Sequence, residues 1–494
     1  MNRQITRLAV SGVVLIAALI VATTYWQTWA AAGLKDRQDN AIQRVAQFTI
    51  DRGVIYAGDG RTVLAENRRV RRAGKTFYFR RYPQRGLAAH VVGYSTQARS
   101  RAGLERSAND YLTGSNAHLS TVVATFRDRL TGATIHGNDV VTTIDVRAQR
   151  TAMNALGARC GAVVALEPAT GRVLVMVSSP TYNPNQVESR GGWAAIQNRR
   201  AACSPAAALV NRAADGLYAP GSTFKVVTMA AALESGRWNL GSTFYDPGYC
   251  EEYGQRVQNY DTSRPFGTVN FLQSLQYSIN SVFCNVGKTL GGLRILAEAK
   301  QMGFYSRPPL ELPVNERQAS GLYRRGELFD PKDPNAVDPG RLAFGQERLL
   351  VSPLQMAMVT AMVANDGVVM EPHVVDRVLK PGGKVLVETK PDALGRSISR
   401  SNAQAIARAM EAVVSGGTGT SAAIGGVRVA GKTGTAETGR AGVNTVSFLG
   451  FAPVERPRVA VAVFVESQAS TGGETAAPIA KEVMEALLRG GRSR

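Results

Sequence analysis

From Leu8 to Trp26 the chain carries 19 consecutive residues without a charge, most of them Val, Leu, Ile or Ala. A helix of about 20 apolar residues crosses a bilayer, so this run sets the environment of everything after it. Arg3 and Arg7 precede it with no acidic residue, which favours a cytoplasmic N-terminus. Tyr25, Trp26 and Trp29 fall at the far end, where an aromatic belt meets the headgroups. Ala30-Ala31-Ala32 offers the small residues of a signal-peptidase site, but the apolar stretch exceeds the usual ~7–15 residues of a cleaved leader. The reading adopted is a cytoplasmic tail over 1–7, an uncleaved anchor over 8–29 and a body on the far side of the cell membrane.

An exported body changes how composition is read. The chain has 494 residues, 44% of them hydrophobic, enough for two folded domains beyond the anchor. Its four cysteines lie in a compartment that permits disulfides. Three full pairings exist; the expectation is Cys250 with Cys284 and Cys160 with Cys203, and the spacings fit no zinc pattern. His90, His118, His136 and His373 are scattered singly, as surface or core residues rather than metal ligands. The net charge is +20, yet only 11 of the 58 basic residues are lysine. Compositional preference for arginine on solvated faces accounts for much of that charge, and anionic lipid or wall polymers offer a second reason. The anchor argues against nucleic acid.

A polar, helix-prone stretch runs to about Gln47. Arg52 to Gly60 then reads as a strand closed by a Gly-Asp-Gly turn, returning through Val63 and Leu64. From Arg68 to Arg85 basic residues alternate with Phe77, Tyr78, Phe79 and Tyr82, the pattern of a half-buried strand rather than a nucleic-acid patch. The texture changes near Val140. Val140–Ile144 is strand-like, Asp145–Leu156 helical, and Ala162–Leu166 with Val173–Val177 forms a buried hairpin. The middle, from about Ala201 to Met370, reads as mostly helical. Strands return at Val427–Lys432, Thr445–Phe451 and Val459–Glu466, before an amphipathic helix at Ala477–Leu488. Strands at both ends of a helical middle predict one α/β sheet completed by distant segments.

Three short motifs carry the chemistry. Pro220-Gly221-Ser222-Thr223-Phe224-Lys225 opens an apolar helix, with Ser222 in its first turn and Lys225 one turn later on the same face. A serine hydroxyl needs an adjacent base, and a lysine serves only when desolvation or a neighbouring cation lowers its pKa. Alone the pattern is also a Ser N-cap beside a surface lysine. Ser278-Ile279-Asn280 follows, and then Lys432-Thr433-Gly434-Thr435, strand-like and then turning. Lys432 supplies a second cation, and Gly431 and Gly434 allow a ligand close to the backbone. The spacings from Ser222 to Ser278 and from Ser278 to Lys432 are 56 and 154 residues.

In this order the motifs are those of penicillin-binding proteins and class A β-lactamases. The whole chain resembles a class B, monofunctional penicillin-binding protein of the actinobacterial penicillin-binding protein A type. Arg52-Gly53-Val54-Ile55, Arg81-Tyr82-Pro83, Gly103-Leu104-Glu105 and Tyr111-Leu112-Thr113-Gly114 resemble its pedestal signatures. Asn211-Arg212-Ala213, Ala343-Phe344-Gly345-Gln346, Ser352-Pro353-Leu354-Gln355-Met356 and Ala477-Pro478-Ile479 resemble its transpeptidase core. The resemblance implies a mixed α+β pedestal (dimerisation-like) domain over 30–139. It implies an α/β transpeptidase domain of the serine β-lactamase-like kind over 140–494, with one transmembrane helix.

It also implies roles. Ser222 attacks the penultimate D-Ala carbonyl and forms an acyl-enzyme, and Lys225 takes its proton. Ser278 relays a proton to the leaving amine, while Asn280 holds the substrate amide and orients Lys225. Lys432 makes the site electropositive. Thr433, Gly434 and Thr435 bind the terminal carboxylate end, and the backbone N–H groups of Ser222 and Thr435 form the oxyanion hole. No cofactor and no metal are implied. The implied partners are peptidoglycan stem peptides, as lipid-linked donor and nascent-wall acceptor, β-lactams, a polytopic membrane glycosyltransferase, and other division or elongation proteins. Asn444-Thr445-Val446-Ser447-Phe448 departs from the aromatic-rich strand of many relatives, which implies a different edge to the acceptor site. Rival readings are a D,D-carboxypeptidase or β-lactamase with Glu311 as the base for water, a β-lactam sensor, and a catalytically idle scaffold. Septal or elongation duty stays open.

Overall fold

The computed structural model describes residues 2–28 and 47–490, apart from 98, 117, 119–120, 123–124, 127, 129–130, 132, 202, 204–206, 263–264 and 441. The apolar run forms one helix, Asn2–Thr28, whose segment Thr6–Tyr25 has a mean hydropathy of 2.2 and no buried residue. A helix that exposes Leu, Ile and Val on every side finds no water-soluble partner surface, and its length suits a bilayer. Trp29, Ala30–Ala32 and the rest of the polar stretch before Gln47 lie outside the described residues.

The pedestal is organised by a six-stranded sheet. Its strands run in the order 385–388, 375–379, 139–142, 55–56, 63–72 and 75–81. Two of these, Val375–Leu379 and Val385–Glu388, come from the far end of the chain. Val378 pairs with Val140 across the join. The boundary set at residue 139 thus falls inside one strand, Asp139–Thr142, of a sheet that both parts of the chain build. Val63–Arg72 and Lys75–Arg81 form the basic hairpin, with Glu66 opposite Arg81 and Val70 opposite Phe77. The aromatic strand is half-buried as expected: Tyr78 is buried on one face and Phe77 and Phe79 are part-exposed on the other, where Arg68, Arg72 and Lys75 are exposed. Beneath the hairpin, Glu105 accepts from Arg52 Nη2 at 2.9 Å and from Arg80 Nε at 2.6 Å, and both ion pairs are buried.

The catalytic region is built on a five-stranded antiparallel sheet in the order 430–440, 443–452, 459–468, 161–166 and 173–179. Alternate residues face two cores, because side chains alternate along a strand. Ala162, Val164 and Leu166 join one core, while Val163 and Ala165 join the other. Helices Val146–Leu156 and Ala476–Gly490 cover the second face. Lys225–Glu234, Pro353–Ala364 and Arg400–Gly416 pack on the first. Burial on both faces explains why these strands read as nearly continuous apolar runs. The middle is less helical than its sequence suggests: residues 243–270 form two short antiparallel pairs, Thr243–Asp246 with Gly267–Asn270 and Tyr249–Glu252 with Gln255–Gln258. The Lys-Thr-Gly segment does not turn after Thr435 but continues as strand to Arg440, held by pairing with Val443–Ala452. Both expected disulfides form, Cys160–Cys203 and Cys250–Cys284.

Candidate active site

The three motifs meet at the edge strand of the five-stranded sheet, Ala430–Arg440. Pro220 ends the preceding segment, and Gly221 takes φ +52, a left-handed conformation that costs glycine little. Ser222 therefore lies in a 3-10 turn, Gly221–Phe224, and not in the α-helix itself, which begins at Lys225. Gly221 N–H donates to the Gly345 carbonyl at 3.1 Å, which ties the turn to the Ala343-Phe344-Gly345-Gln346 segment. Gly434 is required on the facing strand: a Cβ there would stand 2.9 Å from the Pro220 carbonyl and collide with Ser447 Oγ. The serine turn and the Lys-Thr-Gly strand thus touch through backbone, with Ser222 half-buried between water and protein.

Lys225 is fully buried in the first turn of its helix. Its Nζ donates to Ser278 O at 2.7 Å and Asn280 Oδ1 at 2.7 Å, and lies 3.2 Å from Ser278 Oγ. Lys432, also fully buried, donates from Nζ to Ser278 Oγ at 2.9 Å and to Thr433 O at 2.8 Å. One hydroxyl therefore bridges two amines. Among the described residues neither lysine has a carboxylate partner, and the Ser222 hydroxyl makes no hydrogen bond. The Phe283 ring lies under Lys225, 5.4 Å from Nζ to its centroid.

Burial without a counter-ion decides the electrostatics. It drives the Lys225 pKa well below the ordinary lysine value, with Lys432 as the lesser cause. Burial also lowers Lys432, to about 7. The cation expected at Lys432 is thus itself close to losing its proton at neutral pH. A neutral Lys225 has two N–H donors, which Ser278 O and Asn280 Oδ1 accept, and keeps one lone pair for a proton.

The Ser278–Asn280 segment is strained and braced. Ser278 has φ +58, outside the region that side-chain-bearing residues favour. Asn280 Nδ2 donates to Gln258 O at 2.9 Å. Behind it, Ser281 N–H donates to Asn259 Oδ1 at 3.1 Å, and Asn259 Nδ2 donates to the buried Asp246 at 2.9 Å. The Cys250–Cys284 bridge ties strand Tyr249–Glu252 to helix Asn280–Leu290, which carries Asn280 at its start.

Thr433 and Thr435 complete the pocket. Thr433 Oγ1 and Thr418 Oγ1 share a hydrogen bond of 2.6 Å, and Gly472 N–H donates to Thr435 Oγ1 at 3.3 Å. Sequence reasoning overlooked Thr418, Gln258, Asp246 and Asn259. Asp246-Pro247-Gly248 shows only as a turn, and no local pattern links Thr418 to a strand fifteen residues on. Glu311, the candidate base for water, lies elsewhere. Its carboxylate accepts from Val374 N–H at 2.8 Å and Val375 N–H at 3.2 Å, where the chain joins the pedestal sheet.

Comparison with known proteins agrees with this arrangement. Residues 161–485 match the family described as the penicillin-binding protein transpeptidase domain, and residues 52–140 match the penicillin binding protein A dimerisation domain. The chain is 34% identical to peptidoglycan D,D-transpeptidase PbpA of Mycolicibacterium smegmatis, over 99% of this chain and 100% of that protein. It is 33% identical to peptidoglycan D,D-transpeptidase PbpA of Mycobacterium tuberculosis, again over 99% of this chain and 100% of the relative. Among solved structures, the ceftriaxone acyl-enzyme of penicillin-binding protein A from M. tuberculosis superposes with a TM-score of 0.80 at 30% identity, covering 90% of this chain and 100% of that one.

Proposed function

This chain belongs to the penicillin-binding protein transpeptidase family, and from that membership we infer which residues do its chemistry. It is a class B penicillin-binding protein, a peptidoglycan D,D-transpeptidase that cross-links stem peptides through a serine acyl-enzyme and is acylated by β-lactams. The observation that carries the residue assignment is the Ser278 hydroxyl shared between two fully buried, carboxylate-free lysines, one of them on the helix that follows the Ser222 turn.

Ser222 Oγ attacks the carbonyl carbon of the penultimate D-Ala, and its proton passes to the neutral amine of Lys225. The carbonyl oxygen gains the negative charge, and the N–H groups of Ser222 and Thr435 stabilise it, at about 3 kcal/mol per donor. Collapse breaks the C–N bond. The leaving D-Ala amine takes a proton through Ser278, whose hydroxyl lies within 3.2 Å of both amines and so gives one proton as it receives another. Thr433, Gly434 and Thr435 hold the terminal carboxylate, with Lys432 adding positive charge. Asn280 holds the substrate amide and fixes Lys225. The acceptor amine then attacks the ester carbonyl, its proton leaves by Lys225, and Ser222 is released as the hydroxyl.

A hydrolytic outcome lacks support, since Glu311 is engaged at the pedestal junction. We place the body outside the cell membrane, the N-terminus in the cytoplasm, and helix Thr6–Tyr25 across the bilayer once, with Arg3 and Arg7 inside. A polytopic membrane glycosyltransferase is the proposed partner, as the resemblance to class B penicillin-binding proteins implies. The test is covalent labelling by a fluorescent penicillin. Ser222→Ala abolishes it and leaves the fold intact; persistent labelling at another residue refutes the assignment. In a chase the label outlives minutes and turns over faster when a D-amino acid acceptor is supplied, whereas loss within seconds in water alone identifies a hydrolase.

A further inference from the structure

The basic hairpin takes no part in the reaction. Its two faces differ sharply. On one, Asn67, Tyr78 and Arg80 turn toward the body: Asn67 Nδ2 donates to Asp51 at 2.8 Å, and Arg80 is neutralised by Glu105. On the other, strand register sets Arg68 opposite Phe79, Val70 opposite Phe77 and Arg72 opposite Lys75. Phe77 and Phe79 are part-exposed and stacked, with centroids 6.5 Å apart and rings inclined by 11°, and Phe48 adds a third ring 5.6 Å from Phe79. Among the described residues none of Arg68, Arg72 and Lys75 has an ion-pair or hydrogen-bond partner. A cluster of aromatic rings framed by unpaired cations is what an anionic headgroup layer accommodates: rings seat at the interface while phosphates meet the charges.

Chain order points to the same surface. Tyr78 N–H donates to Phe48 O at 2.7 Å, so the hairpin edge is pinned to nearly the first described residue of the body. The anchoring helix is described to Thr28, and the chain between it and Gln47 reaches at most about 65 Å when fully extended. A tether that short keeps a weak surface contact at high effective concentration.

We propose that the outer face of the hairpin, Arg68, Arg72 and Lys75 around Phe77 and Phe79, rests on the anionic lipid headgroups of the membrane that holds the anchor. The contact fixes the tilt of the pedestal, and with it the direction in which the catalytic cleft faces. It rests on the anchoring of the chain and is independent of the reaction.

The full chain is reconstituted in vesicles with Phe77→Cys carrying an environment-sensitive dye, and quenching by headgroup-spin-labelled lipid is read. With about one-third phosphatidylglycerol, quenching is at least threefold stronger than in phosphatidylcholine alone and falls away in about 0.5 M salt. The same dye at Tyr253→Cys, on an exposed turn of the catalytic region, stays unquenched in both. Adding Arg68→Glu, Arg72→Glu and Lys75→Glu removes the quenching while penicillin acylation continues at the unmutated rate, so loss of fold and loss of contact are distinguished. Equal quenching in neutral and anionic vesicles reduces the contact to tethering and overturns the proposal. Absence of quenching in both assigns the face to an anionic polymer or protein and overturns it equally.

Discussion

The pedestal and the catalytic cleft each bury two cations, and they treat them in opposite ways. Arg52 and Arg80 enclose Glu105, and the carboxylate meets both guanidiniums. Burial alone would push Glu105 up, but Arg80 and then Arg52 pull its pKa below the ordinary carboxylate value, so the triad stays charged. Lys225 and Lys432 have only a hydroxyl, carbonyls and an amide around them, and burial drives both toward neutrality. A buried cation with a carboxylate is a fastener. One without is driven toward neutrality, which is the state that the base role proposed for Lys225 requires.

That contrast is broken most directly in the cleft. Lys225→Ala slows acylation by about 10²–10⁴-fold, the range for loss of a positioned base, without lowering thermal stability. Stopped-flow acylation that stays within about threefold of the parent removes Lys225 from the base role. The complementary change is Glu105→Gln, which strands two buried guanidiniums. It costs about 3–5 kcal/mol of stability in denaturant unfolding, while acylation at temperatures where the protein stays folded keeps its rate. If it instead slowed acylation and spared stability, the division of labour between the two regions would fall.

Two pH measurements sharpen the comparison. With Lys225 as the proposed base, acylation is expected to need its neutral form, and the rate to rise with pH through the depressed pKa of that amine. Lys432→Ala removes the neighbouring cation and some of the burial, both of which raise the Lys225 pKa, and the acid limb moves to higher pH. An unmoved limb takes Lys432 out of the electrostatics. The smallest effect is on stability. Lys432 titrates at about 7 in the fold and near 10.4 in an unfolded chain. Between those values the unfolded state holds a proton that the folded state lacks, so stability rises with pH by about 1.4 kcal/mol per unit. The stability deficit of the native chain relative to Lys432→Met therefore narrows from pH 7 to pH 9. For Glu105 the slope has the same sign, because its folded pKa is again the lower one: its contribution is present above the ordinary carboxylate pKa and is lost as pH falls through its own lower value.

What the sequence disclosed follows the same division. Ser222, Lys225, Ser278, Asn280 and Lys432 stand in short motifs whose internal spacing encodes a turn, a helix start and a strand, and the structure brings them into one cleft. Gly103-Leu104-Glu105 was visible as a signature, but its pairing with Arg52 and Arg80 spans 53 and 25 residues and leaves no periodic trace. Gly345 likewise stands in a recognisable segment, yet its work, receiving the Gly221 N–H, appears only once distant backbone is in place. The alternation of 75–81 gave a strand correctly; which face would remain open depended on Glu105 and Asp51 arriving from elsewhere. The strands at 375–388 were the least legible, since nothing local says which sheet edge a strand will join.

Those last two strands impose an order of events during biosynthesis. The edge of Asp139–Thr142 is made early, but the residues that cover it are translated about 230 residues later. At about 5–20 residues per second, that edge waits roughly 10–50 s for its partner while the intervening catalytic core is still emerging. An open strand edge in that interval is a pairing hazard. The pedestal sheet is therefore completed only after most of the catalytic region exists, and a chain cut before residue 375 would leave the Asp139–Thr142 edge uncovered.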